Sequence, residues 1–435
     1  MLLVLTKKVT NRVQYTFRLM LEELLGLKVS FTLQIEDFRK FEGPRLAYGI
    51  YPGEGDLYFA ANDLLFENWI SNQNLRCFPH GLSVALFPVF EKTSALPFDP
   101  FAAAFYLVSR YEEYLPHIRD IHGRFVSSSS EAMKYGFLKK PLVNIWANQL
   151  GDLLSHKFPA LLLRKKKYSF FPTIDIDAAY AYKHKGLTRS LGGLLKSLRN
   201  KDYQAALERI RVLMNKAKDP FDTFDYLFRL QEKYQFRMIY FILMADYGPR
   251  DKNIPVNNRH FQQLIKLLAD YAEVGIHPSY ASYNNPSILE KEISRLSKIL
   301  HQDITRSRQH FLRMEFPLTY RNLINQEITD DYTMGYADEP GFRASICTPF
   351  NFYDLDQDME THLRIHPFTV MDGTLNDYLR LTPVQAIEVI RSLVREVREV
   401  NGTFIPLWHN QTLNDRDEWK GWLKVFEVML EIARE

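Results

Sequence analysis

The rhythm of apolar positions changes partway along this chain. Leu2 to Leu5 is a short apolar run with strand character, and residues 11–26 repeat apolar side chains at helical spacing before closing on Gly26. Residues 28–35 alternate as a strand does. Two helices follow, over 97–114 with prolines at both ends and over 141–155. After the basic tetrad Arg164-Lys165-Lys166-Lys167, read as a solvated linker or strand edge, strands and helices take turns. Strands are expected at 169–176, 237–244, 274–277, 307–314, 328–334 and 402–408. Helices are expected through residue 213 and at 220–234, 260–273, 286–300, 317–326, 383–400 and 417–434. The run Arg237 to Met244 is continuously apolar, as in a strand covered on both faces. Such alternation implies a parallel sheet, closed into a barrel or part of one. The boundary falls near 165, giving a smaller N-terminal α/β domain over 1–165 and a larger α/β domain over 166–435.

Composition narrows this only a little. Apolar residues make up 46% and charged residues 25%, ordinary for a folded chain of this length. With 55 basic against 52 acidic residues the balance gives no electrostatic case for nucleic acid. Two cysteines, Cys77 and Cys347, make neither a disulfide framework nor a thiolate metal site. The apolar start precedes its charges and is too short for a leader, so it reads as a first strand. No run reaches the roughly 18 apolar residues of a membrane span. A cytoplasmic location is therefore expected. The high aromatic content, 31 Phe and 24 Tyr, serves core packing first and sugar stacking second.

Chemistry enters at the strand ends, where parallel α/β sheets gather their functional side chains. The first expected strand ends on Asp175 and Asp177, the next leads to Asp246, and the third ends on His277. Arg308 with His310, Asp330 with Asp331, and His409 close the series. Asp175 and Asp177 share one side of a strand, because a period of two separates them. Carboxylates that close raise each other's pKa unless a cation intervenes. One alone could simply cap a helix. The pair, with a histidine after Val274-Gly-Ile276, points to a divided metal site. The segment carrying Asp330, Asp331 and Arg343, and the run from His366 to Asp372, read equally well as a sugar-binding lid or as structural loops.

Thr173-Ile-Asp-Ile-Asp177, Val274-Gly-Ile-His277, Arg308-Gln-His-Phe311 and Ile405-Pro-Leu-Trp-His409 resemble, in order, the motifs of polysaccharide deacetylases (the NodB-homology, carbohydrate esterase family 4 group). Ser109-Arg-Tyr-Glu-Glu-Tyr114, Asp331-Tyr-Thr-Met-Gly-Tyr336 and similar phrases make the whole chain similar to the Bacteroidetes branch, which carries an extra N-terminal domain of unknown function. The resemblance implies a distorted (β/α)7 barrel in the C-terminal part. It implies Asp175 as general base, Arg308 as its charge partner, and His409 as the acid for the leaving amine. Asp177 and His277 would bind a divalent metal, with zinc the ion the resemblance implies. The activity implied is removal of an N-acetyl group from an amino-sugar of a glycan or glycan precursor.

Two departures matter. Ala281 stands where the second metal histidine belongs, and Ile176 stands where the second motif aspartate does, with the carboxylate moved to Asp177. A catalytic zinc takes three protein ligands and keeps a position open. His310 is the preferred third ligand, with Ser279 or Asp246 as substitutes. Without a third, the chain would be a silent glycan-binding or assembly protein. An amidohydrolase of a small non-sugar amide is the remaining alternative.

Overall fold

The computed structural model describes every residue except Leu82 and Lys165, so the expected boundary at 165 lies outside the described residues. The first sheet has four parallel strands in the order Val29–Thr32, Leu2–Thr6, Arg45–Tyr48, Leu57–Phe59. Against it packs the helix Pro100–Val108, buried along its whole length. Asp99 caps this helix by accepting from the N–H groups of Phe101 and Ala102, with Pro100 at the first turn. Phe101 stacks on Phe17 with ring centroids 4.0 Å apart and meets Tyr48 edge-on. Truncating such a ring to alanine costs about 3–5 kcal/mol. The helix expected over 97–114 stops at Ser109, because Arg110 turns left-handed (φ 54°) to reach buried acids.

The second sheet has nine strands. Their order is Phe350–Asp354, Met359–Ile365, Asp330–Asp331, Arg306–Ser307, Glu273–His277, Ile239–Leu243, Thr173–Ile176, Pro406–His409, Val370–Met371. All neighbours are parallel except the hairpin formed by the first two. This order leaves two edges, so it does not establish the expected (β/α)7 barrel; a mixed α/β fold is what stands. The strand expected over 307–314 is corrected: it ends at Ser307 and gives way to a tight turn at His310–Leu312. The expected 328–334 strand shrinks to Asp330–Asp331, and the hairpin at 350–365 was not anticipated.

One apolar core runs from residues of the first sheet, such as Val4 and Leu46, to residues of the second, such as Ile276 and Trp408. Ion pairs also tie the two parts: Arg12 to Asp358 at 2.7 Å, Lys140 to Glu396 at 2.7 Å and Arg343 to Glu113 at 2.6 Å. Among the described residues no helix is long and apolar enough to cross a membrane.

Candidate metal centre

Strand register assembles the centre. His409 lies directly beside Asp175 on neighbouring parallel strands, and Glu273–His277 is separated from them only by Ile239–Leu243. Gly275 makes the close fit possible: a Cβ there would meet the Arg306 carbonyl and the Phe241 ring at 2.8 Å. Packed this tightly, the His277 strand delivers its ring to the two aspartates.

Asp175 is buried and accepts from Arg308 Nη1 at 3.0 Å. Arg308 also donates to Thr173 Oγ1 at 2.7 Å and the Tyr332 carbonyl at 3.0 Å, and it lies over the Phe241 ring. Its Nη2 has no partner. A fully buried guanidinium held this way is a fixed positive charge beside Asp175.

Asp177, just past the strand end, faces three histidines. His277 Nε2 is 3.2 Å from Asp177 Oδ1, His310 Nε2 is 3.7 Å from Oδ2 and His409 Nε2 is 3.9 Å from Oδ2. Burial works against the charge on Asp177, yet His310, His409 and His277 hold its carboxyl well below the usual range. Oδ1 makes no hydrogen bond although His277 Nε2 lies 3.2 Å away.

The other ring nitrogens settle the tautomers. His277 Nδ1 lies 2.5 Å from the Arg308 carbonyl, which can only accept, so Nδ1 carries a proton and Nε2 is the atom turned to Asp177. His310 Nδ1 is 2.9 Å from Asp251 Oδ1, the carboxylate–histidine arrangement that fixes metal-binding imidazoles. Burial opposes protonation of His310, but Asp177 and Asp251 outweigh it and raise its pKa to about 9. His409 Nδ1 sits 2.8 Å from Asp372 Oδ1, while Asp372 Oδ2 accepts from the His409 N–H and Thr412 Oγ1. Burial again opposes its charge, but Asp372 and Asp177 lift His409 to about 10.

Asp177, His277 and His310 thus offer one donor atom each, all within 4.8 Å of one another. The donor set fits a divalent ion: two histidines with Nδ1–H donated away and a carboxylate oxygen without a hydrogen-bond partner. A proton and a metal ion would compete for the same Nε2 lone pairs. Ala281, in place of the motif histidine, lies in a short turn at Tyr280–Ser282, and the neighbouring Tyr280 N–H donates to Asp251. Asp251 therefore joins the two segments around the gap.

Not every candidate gathers here. Asp246 is 71% exposed and bound by Lys291 and Arg295. Ser279 caps its own turn by accepting from Ser282. Asp330 pairs with His366, Asp331 accepts from Thr333, and Arg343 is buried against Glu113. Of the two readings left open for these residues, the structural one fits: none of them lines the cavity. Asp372 belongs to the centre instead.

Two contributors had no sequence signal: Asp251 is a loop residue, and Arg124 comes from the N-terminal part. Asp372, noted only as the end of a candidate lid, directly follows the strand Val370–Met371. The Arg124 guanidinium donates to the Phe311 carbonyl at 3.0 Å and to Tyr378 Oη at 2.9 Å, and pairs with Asp120. Phe311 and Leu312 both have positive φ (58° and 54°), a strained pair immediately after His310. Arg124 thus braces the turn that aims His310. Asp175, Asp177 and the three histidines open on a cavity of about 420 Å³. Phe221, Phe311, Tyr378 and Trp419 supply aromatic walls; Gln309, Gln411 and Asn414 supply amides.

Residues 2–159 match the model of a family of unknown function, DUF7033. No curated protein matches the chain by sequence. Among solved structures, a protein from Mycobacterium smegmatis provisionally described as a polysaccharide deacetylase is similar with TM-score 0.40 and 14% identity, over 61% of this chain and 85% of that one. A polysaccharide deacetylase from Bacillus cereus is similar with TM-score 0.28 and 10% identity, over 61% and 86%. Puue allantoinase is similar with TM-score 0.34 and 9% identity, over 60% and 83%. Likenesses this distant lend no weight to a function, which has to stand on the centre itself.

Proposed function

We propose that this chain is a metal-dependent hydrolase that removes an N-acetyl group from an amino-sugar of a glycan or glycan precursor. One observation carries the reading: three donors from separate elements converge beside a carboxylate that a buried arginine pairs with at 3.0 Å. Asp177, His277 and His310 would hold the ion, and the donor types suit zinc. When bound, such an ion supplies Lewis-acid polarisation and acidifies water.

The chain's own groups divide the proton work. Asp175, oriented by Arg308, is the base that takes a proton from water. His409 is the acid: the Asp372 carboxylate fixes its ring and favours its charged form, so Nε2 keeps a proton for the departing amine. The aromatic and amide walls of the cavity suit a sugar ring, with faces to stack and hydroxyls to pair.

The barrel reading belongs here too. Only residues 366–369 separate Met359–Ile365, which pairs at one side of the sheet, from Val370–Met371, which pairs at the other. Taken as one bent strand, 359–371 makes seven positions around a nearly closed (β/α)7 wall, with 1–165 as the appended domain.

Two measurements test the function. Chain purified without added metal should carry about one divalent ion, and Asp175→Asn should lose turnover while keeping it. A site that stays empty in excess zinc, cobalt and nickel rejects the hydrolase. Acetate release from acetylated amino-sugars should exceed that from simple acetamides; the reverse order would point to a small non-sugar amide.

A further inference from the structure

The chain's positive charge is concentrated in one place. Residues 183–218 contain ten Lys and Arg against only Asp202 and Glu208. The whole chain carries +3, so everything outside this stretch is net acidic. These residues form a helical hairpin, Leu187–Arg199 and Tyr203–Leu213.

The hairpin is also where apolar side chains face outward. Leu187, Leu191, Leu195 and Leu198, at spacings of four, four and three, form one stripe along the first helix and are 44–83% exposed. The first helix buries no residue at all. Tyr203, Leu207, Ile210 and Met214 make a matching stripe on the second, 40–65% exposed. Two adjacent helices that both present such stripes to solvent lack a partner for that face.

Charge decides what the partner is. Lys196, Arg199, Lys201, Arg211 and Lys216 are exposed, and among the described residues none has a carboxylate within salt-bridge reach. Protein interfaces are depleted in lysine, whereas an apolar stripe flanked by unpaired cations suits an acyl boundary beneath anionic headgroups. We propose that the Leu187–Leu213 hairpin is an interfacial anchor that docks this protein on an anionic lipid surface.

The hairpin is tied to the body rather than free. Arg189 donates to the carbonyls of Lys252 and Asn253 and lies 3.9 Å from the Tyr247 ring centroid. Asp219 accepts the N–H groups of Ala181, Tyr182 and Lys183 at 2.7–2.9 Å. Glu208 pairs with Arg416, on the loop that also carries the cavity residues Asn414 and Trp419. The first helix starts ten residues after Asp177, and the cavity residue Phe221 follows the second. A surface that holds the hairpin therefore lies beside the cavity mouth. Resting on the hydrolase reading, the acetylated amine it takes is one carried on a lipid.

The experiment is co-sedimentation of the full chain with vesicles of phosphatidylglycerol and phosphatidylcholine, or of phosphatidylcholine alone. Binding should require the anionic lipid and weaken as salt rises. Leu191→Glu with Leu195→Glu, and separately Lys196→Glu with Arg199→Glu, should each cut partitioning at least about tenfold with an unchanged circular dichroism spectrum. Chelator should leave binding intact, so a failed metal centre and a failed anchor read separately. No sedimentation with anionic vesicles, or binding indifferent to both double variants, overturns the proposal. So does a dimer in solution that the leucine variant dissociates without any vesicle binding, because the face is then a self-association surface.

Discussion

Two buried clusters of charge sit in this molecule, each setting arginine against carboxylates, and they are finished differently. At the junction of the two sheets, Arg110 donates to Glu112, Glu113, Tyr336 and the Arg343 carbonyl. Arg343 completes the set with a two-point contact to Glu113 and a bond to the Gly335 carbonyl. None of these four charged side chains is left with an unpartnered buried atom. At the metal centre, Arg308 Nη2 and Asp177 Oδ1 lack partners, and the cluster opens on a cavity. Desolvating charge is expensive in both places. The junction recovers that cost internally, whereas the centre leaves valence for something from outside. Unfinished hydrogen bonding beside space, rather than burial of charge as such, separates a site from a staple.

Breaking each cluster should therefore give different failures. The largest effect is at the centre: Asp177→Ala should abolish stoichiometric metal binding and turnover, read by metal analysis and acetate release, with the fold retained. At the junction, Glu113→Ala should cost about 3–5 kcal/mol of stability, because two buried guanidinium groups lose their counter-charge. Metal content per folded chain should not change, and a chemical denaturation curve checks the first part. The pH dependence sharpens this. Burial tends to raise the Glu113 pKa, but Arg343 and Arg110 overcome it and hold it below the ordinary 4.5. A depressed acid stabilises above its unfolded value and loses that contribution as pH falls through its folded one. Acid unfolding below pH 4.5 should accordingly be shallower in Glu113→Gln; Glu112, pushed upward by burial, requires that the variant be single.

Smaller effects probe the supports. Asp251→Ala removes the carboxylate that orients His310 and should weaken metal affinity about 10- to 100-fold, measured by competition with a chromophoric chelator. Arg124→Ala should lower kcat/KM by less than about tenfold, under ~1.4 kcal/mol, since Phe311 and Tyr378 keep their packing while the turn loosens. A larger loss would mean that Arg124 touches the substrate.

The parts legible in the sequence were those governed by local periodicity. Asp175 and Asp177 follow from strand alternation, and the helix at Pro286–Leu300 agrees with its pattern to the residue. His310 was found as a neighbour of Arg308 but set on a strand; the strand ends at Ser307, and the turn that carries His310 is held at Phe311 by Arg124, 187 residues away. Asp251 and Asp372 were not assigned their supporting roles, because the histidine each carboxylate orients is set by the fold and not by spacing along the chain. The hairpin at 350–365 escaped because its strands are joined through Leu355–Asp358 without an Asn-Gly or Asp-Gly turn.

Arg124 also bears on ancestry. A C-terminal half passed on by recombination without its N-terminal companion would inherit an unclamped turn after His310 and an Arg343 stranded in apolar surroundings. The partners in both contacts, Arg124 and Glu113, belong to the missing half. The two halves would descend as a pair, and tolerance for inserted residues would lie in segments that cross neither contact.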